Sequence, residues 1–354
     1  MKPVRKPDAI VSPAPTKRVA WVDVAKGLSI LLVVMMHSTL GVQIATGGTS
    51  WMGQIVEFAR PFRIPGFMLI SGLFLHKTID GDWRRFIDRK IIHFFYFYLL
   101  WVAIQVVIKT PVWMNEGNSG AQIISIYLMT FIQPFGTLWF IYLLPVFYLV
   151  TRLARNIPWP WVFAIAMALQ ILPIHTGSTL IDEFASRYIY FFIGYVFYRH
   201  LFNWATFAGN QPIAALAIFL VWLVLNIALF DRFAEIGFYG SIKLVDLPLI
   251  SLSLGVTGAM MMIAAGALIT KVRWLGFMNW VGEHSIVIYL AFFLPMGVSR
   301  IVLLKYAGEA LSTNTIAILV TLSASVGPIV FYLLVKKTGF GMFLFERPAL
   351  ARLK

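Results

Sequence analysis

From Pro212 to Phe230 the chain reads PIAALAIFLVWLVLNIALF, nineteen residues without a charge and with one amide, Asn226. As a helix rising 1.5 Å per residue it reaches about 28 Å, the hydrocarbon thickness of a bilayer. In lipid such a run needs only its own backbone hydrogen bonds, which a helix supplies in full. Comparable apolar stretches stand at 27–45, 62–76, 91–109, 137–151, 160–174, 187–201, 247–269, 284–304 and 314–335. The sequence therefore predicts an all-α, polytopic bundle of about ten transmembrane helices. Several stretches fall short of the roughly 20 residues a span needs and require snorkelling flanks or a thinned bilayer. The segment 121–133 is shorter still and is expected to lie at the interface or to be re-entrant.

Composition agrees with this. Of 354 residues 60% are hydrophobic and 12% charged, against about 25% charged in soluble domains. The formal net charge of +14 would suggest nucleic acid in a soluble protein, but here its placement accounts for it. Segments 1–26, 76–90, 151–159, 199–211, 270–283 and 336–354 share one side of the bilayer and hold 21 of the 29 Lys and Arg residues. That bias predicts both termini in the cytoplasm. It also disfavours an eleventh span, which would carry the basic C-terminal residues outside. Residues 1–18, Pro-rich and basic, are expected to form a disordered cytoplasmic tail that can rest on anionic lipid. Residues 19–336 would be the membrane domain and 337–354 a second basic cytoplasmic tail. The stretch 27–45 exceeds the roughly 7–15 residues of a signal-peptide core and lacks a cleavage pattern, so it is expected to be retained. There is no cysteine, which removes disulfides, thiolate metal sites and a cysteine acyl-enzyme.

One constellation carries chemistry. WVDVAKGLSILLVVMMHS places His37 deep in an apolar span, eleven residues after Lys26. Eleven residues are three turns plus about 20°, so both side chains leave one face of the helix, about 16 Å apart along its axis. With the N-terminus inside, Lys26 lies at the cytoplasmic interface and His37 near the bilayer midplane. An imidazole there must face the bundle interior or a wet cavity. When neutral it can accept a proton from a hydroxyl, as a general base does. A long carrier can keep its phosphates at Lys26 while its reactive end reaches His37, and a phosphopantetheine arm is of that order of length. Asp23, one turn before Lys26, can orient the ammonium. A histidine that merely hydrogen-bonds between helices is the competing reading.

These residues carry a resemblance. D-x-x-K-G-x-x-I-L-L-V-V-x-x-H resembles the first transmembrane segment of the acyltransferase 3 family, membrane enzymes that acylate glycans and other acceptors. Lys rather than Arg at the basic position is similar to the fucose 4-O-acetylase-like branch. RIPGFMLISGLFL, FIDRKIIHFFYFYLLW and GTLWFIYLL resemble the family's following segments in order, and YFFIGYVFYRH and VGEHSIVIYL match more loosely. The likeness runs from about Val19 to Lys336. The chain departs from the pattern at Tyr96, where the family has Pro, at His93, where it has a basic residue, and at Ala291 and Phe292, where many members have His.

The resemblance implies acyl-CoA, acetyl-CoA in the first instance, as donor. Its phosphates would rest on Lys26 and on the cluster Arg84, Arg85, Arg89 and Lys90, with His93 completing the mouth. A guanidinium fork suits phosphate, although a cytoplasmic loop collects such charge on topological grounds alone. On the outer side Glu57, Arg60 and Arg63 are candidate contacts for a polar or acidic acceptor, a glycan or lipid-linked saccharide, and Trp139 and Tyr142 are candidate cavity aromatics. Each of these residues can equally mark the membrane interface. The function expected is transfer of an acyl group to an acceptor hydroxyl, with His37 as base, in a bacterial inner membrane; direct transfer and an acyl-His intermediate both remain open. The rival is a proton-coupled transporter of a polar metabolite with His37 as relay. A catalytically silent scaffold of the same family is a third reading. No metal-hydrolase, elbow-serine or phosphate-loop motif is present.

Overall fold

The structure, a computed structural model, describes residues 18–230, 232–236 and 240–353. The expected N-terminal tail lies outside the described residues except for Arg18. In order, the helices are α1 (Ala20–Thr46), α2 (Trp51–Phe58), α3 (Arg60–Gly72), α4 (Trp83–Phe86), α5 (His93–Asn115) and α6 (Gly120–Met129). There follow α7 (Trp139–Leu153), α8 (Trp159–Ile171), α9 (Thr179–Val196), α10 (Tyr198–Asn210) and α11 (Pro212–Phe230). The chain ends with α12 (Pro248–Ile269), α13 (Phe277–Glu283), α14 (Ser285–Ala291), α15 (Phe293–Ala307) and α16 (Thr313–Thr338).

The all-α expectation holds with one addition, an antiparallel hairpin of Phe233–Ile236 with Gly240–Lys243. Among the described residues six helical stretches have the length and apolarity to cross a bilayer: Ala20–Thr46, Trp83–Asn115, Gly136–Asn156, Pro212–Phe230, Pro248–Ile269 and Thr313–Thr338. The bent pair α14–α15 brings the number to seven. The other expected spans fall on shorter or interrupted helices. Span 62–76 is the 13-residue α3, span 160–174 is the 13-residue α8, and span 187–201 is cut between α9 and α10 at Phe197. The short 121–133 segment becomes α6, ten residues long and largely exposed.

Glycines set the closest crossings. A Cβ on Gly282 would overlap the Asp23 carbonyl, and one on Gly266 would press on the Trp21 carbonyl. Small residues let backbones approach in this way, and here they seat the first two turns of α1 directly against α12 and α13. The α14–α15 pair bends by 52°. Pro295 offers no N–H to the carbonyl of Ala291, four residues earlier, and its ring crowds that carbonyl. The break therefore falls at Phe292, beside His37.

The segment expected as a C-terminal tail is docked. Gly339 closes α16 in the left-handed region (φ 72°), and the following strap returns along α5. Tyr96 Oη donates to the Phe343 carbonyl (3.0 Å) and Trp101 Nε1 to the Leu344 carbonyl (2.9 Å). Arg347 Nη2 meets Asp88 Oδ2 at 2.7 Å, its Nη1 donates to the Asp88 carbonyl at 2.9 Å, and Leu353 N donates to Asp88 Oδ1 at 2.8 Å. Asp88 lies in a π-helical turn, Ile87–Ile92, that joins α4 to α5.

Candidate active site

Lys26 and His37 share α1, as their spacing predicts. Lys26 Nζ lies 3.4 Å from Asp23 Oδ1; the carboxylate is buried and the ammonium about one-third exposed. This pair sits in the wall of a cavity of about 560 Å³ between α1, α3, α7 and the α13–α14 segment. Among the described residues four cations line it, Arg18, Lys26, Lys77 and Lys90, against two carboxylates, Asp23 and Glu283. Arg18 is held by Glu283 at 3.0 Å. Lys90 Nζ lies over the Tyr148 ring, 4.5 Å from its centroid, and Tyr148 Oη donates to the Ser71 carbonyl at 3.1 Å. The cavity thus has a net positive mouth, built where α1 and α14 begin and α3 and α13 end.

Deeper in, the lining turns aromatic, with Phe67 from α3, Phe140 from α7 and Tyr289 from α14. Tyr289 Oη donates to the Thr137 carbonyl at 2.6 Å. Two further tyrosines hold the same non-helical stretch before α7. Tyr98 Oη donates to the Thr130 carbonyl at 2.7 Å and accepts from Phe135 N at 3.2 Å, and Tyr142 Oη donates to the Phe131 carbonyl at 2.8 Å. Irregular backbone at membrane depth survives only where the protein satisfies its polar groups in this way.

His37 lies beyond this aromatic layer and is not part of the cavity wall. Its ring rests on Phe292, with centroids 5.5 Å apart. Arg63 is a charged group within electrostatic reach of the ring. Arg63 is itself buried; its Nη1 donates to the Val56 carbonyl at 2.9 Å, while its Nε has no hydrogen-bond partner among the described residues.

The other predicted residues separate. Of the basic cluster, Lys90 lines the cavity, whereas Arg84, Arg85 and Arg89 are exposed and lie outside its wall. His93 also stands away from the wall, edge-on to Phe94 and Phe97 at 5.3 and 5.1 Å, within reach of Asp88 and Arg347. Arg60 is tied to Glu57 (3.2 Å) and to Asp246 (2.8 Å). Trp139 meets Phe140 edge-on at 6.3 Å, and Tyr142 spends its hydroxyl on the loop before α7. Sequence reasoning missed Arg18, Lys77 and Glu283 in the mouth. Lys77 was legible as the first cation after α3, but only the convergence of α1, α3 and α13 shows which end residues meet. It also missed Arg152, buried at the foot of α7. Its guanidinium stacks on Trp83 and Phe86 at 4.0 and 4.3 Å and donates to the Gly81 carbonyl, tying down the 76–90 loop.

A family profile described as an acyltransferase domain matches residues 19–333. The nodulation protein NolL of Sinorhizobium fredii is 23% identical over 227 residues, 63% of this chain and 60% of that protein. The chain therefore spans about 60% of the length of the curated relative it matches. No solved structure matches.

Proposed function

Since the chain belongs to the acyltransferase 3 family, we propose that it is a membrane acyltransferase moving an acyl group, acetyl in the first instance, from acyl-CoA to a hydroxyl of a glycan or lipid-linked saccharide. The observation that carries this reading is a cationic cavity whose wall includes Lys26, on the same helix face as a half-buried imidazole about 16 Å farther along the axis. Lys26, Lys77 and Lys90 take the phosphates of the donor, and its pantetheine arm runs down the cavity toward His37. Lysine binds phosphate as a point charge and tolerates varied geometry.

In the reaction, a nitrogen of His37 takes the proton of the acceptor hydroxyl as its oxygen attacks the thioester carbonyl. The carbon–sulfur bond breaks, and the thiolate of CoA leaves and recovers a proton. The same imidazole can instead receive the acyl group first and pass it on. Arg63, Arg60 and Glu57 stand on the acceptor side. Arg63 offers a buried positive charge to the oxygen that becomes negative, a contribution that grows where water is excluded. Both termini lie in the cytoplasm and the domain sits in a bacterial inner membrane, so the donor comes from the cell and the acceptor from the far side or from lipid.

The test is acetyl transfer from labelled acetyl-CoA to endogenous glycan in membranes carrying wild-type protein or His37→Ala at matched expression. The proposal requires transfer to be abolished in the variant; undiminished transfer refutes it. Flux of a polar metabolite that follows a pH gradient and ignores acetyl-CoA would favour a transporter instead.

A further inference from the structure

We propose that Phe67, with Phe140 and Tyr289, forms an aromatic collar that ends the donor cavity short of His37 and sets the largest acyl group able to reach it. The inference deepens the reading above and rests on it.

The three rings come from three different helices, α3, α7 and α14, and all three line the cavity. Phe67 and Phe140 meet edge-on with centroids 4.6 Å apart, and Phe140 and Tyr289 meet edge-on at 5.7 Å. Such pairs attract through their quadrupoles, so the layer holds itself together. On its far side Phe292 lies 6.5 Å from Tyr289 and 5.5 Å from His37. Ring contacts thus run from the cavity wall through Tyr289 and Phe292 to the imidazole.

The layer is unevenly anchored. Tyr289 is buried and fixed through its hydroxyl to Thr137, and Phe140 is buried among its neighbours. Phe67 is only half-buried, with one side open to the cavity, and as a phenylalanine it has no polar anchor. Phe67 is the ring that yields when a thioester advances. An acetyl group asks for little displacement, whereas each added methylene must be accommodated against Phe140 and Tyr289, which are held. Walls of this kind discriminate by about tenfold or more per methylene. A purely structural role for Phe67 would lower transfer of all acyl groups alike.

The experiment measures CoA release from acetyl-, butyryl- and hexanoyl-CoA by thiol detection, with full-length protein in its native membranes. The absence of cysteine in the chain keeps the protein itself silent in this assay. Phe67→Ala and Phe140→Ala are expected to raise the butyryl-to-acetyl ratio by about tenfold, if they relieve one of its two extra methylenes, to about a hundredfold, if both, and Phe67→Leu to shift it the same way by less. Phe67→Leu also decides the matter if the alanine variants do not accumulate. A second readout does not depend on turnover. With His37→Cys as the single cysteine, a methanethiosulfonate reagent applied from the cytoplasmic face should react several-fold faster when Phe67→Ala is also present. Transfer that persists with an unchanged ratio, or labelling that ignores Phe67, overturns the collar. Wild-type membranes that release no CoA, or release as much with His37→Ala, overturn the acyltransferase reading and the collar with it.

Discussion

Replacing Lys26 with Gln removes one of the four cations that the described residues place in the cavity wall while leaving its two carboxylates in place. The wall then falls from two net positive charges to one, and the buried Asp23 carboxylate loses the ammonium 3.4 Å away. A hydrogen bond to a charged group contributes about 1.5–3 kcal/mol. Lys26 divides its charge between Asp23 and the donor, so the lower end applies, about 1.5 kcal/mol or roughly tenfold in Kd. Asp23→Asn changes the balance in the opposite direction and is expected to tighten binding. The double substitution restores the wild-type net charge and should fall between the two single variants. The assay is calorimetric titration of a non-hydrolysable acetyl-CoA analogue into protein in nanodiscs at two salt concentrations. Screening should shrink all of these differences as salt rises. Arg89→Gln, on the exposed side of the loop, should have a smaller effect than Lys26→Gln. A Lys26→Gln Kd within about twofold of wild type, well below the value of one charged hydrogen bond, would refute the reasoning, as would weaker binding by Asp23→Asn.

Further predictions concern the framework. Asp88→Ala leaves the buried Arg347 guanidinium without its carboxylate; stability should fall by about 3 kcal/mol, and limited proteolysis should cut the C-terminal strap first. Gly282→Val forces a side chain into the Asp23 carbonyl and should lower stability by at least about 1–3 kcal/mol, read as a lower Tm in detergent. Arg152→Lys keeps the charge but loses the planar stack on Trp83 and Phe86, and a thermal-shift assay should show a loss of about 1 kcal/mol. Reporter fusions at the two ends should both signal cytoplasm, and opposite signals would break the assignment of sides.

The 62–76 stretch shows how far apolar runs alone can be read. Hydropathy marks it as membrane-embedded, but the break at Ala59 and the end at Gly72 leave a 13-residue helix, because run length does not register where backbone hydrogen bonding stops. The basic loop is a second case. Arg84, Arg85, Arg89 and Lys90 look equivalent in a linear reading, yet the π-helical turn at Ile87–Ile92 shifts their facing, and Lys90 alone among them enters the cavity wall. The C-terminal strap is a third, since its basic composition conceals the aromatic and ionic contacts that dock it on α5.

The alignment of Lys26 with His37 was readable from the chain because a helix in lipid has no alternative way to satisfy its backbone, so residue number becomes angle and height. Membrane class was readable for a similar reason, since it depends on what a segment costs in hydrocarbon and not on its neighbours. Which cations converge, what lies between the cavity and the imidazole, and where α14–α15 bends were decided by helices far apart in sequence. Those features depend on how each helix is rotated and how closely glycines let it approach, and no single segment carries that information.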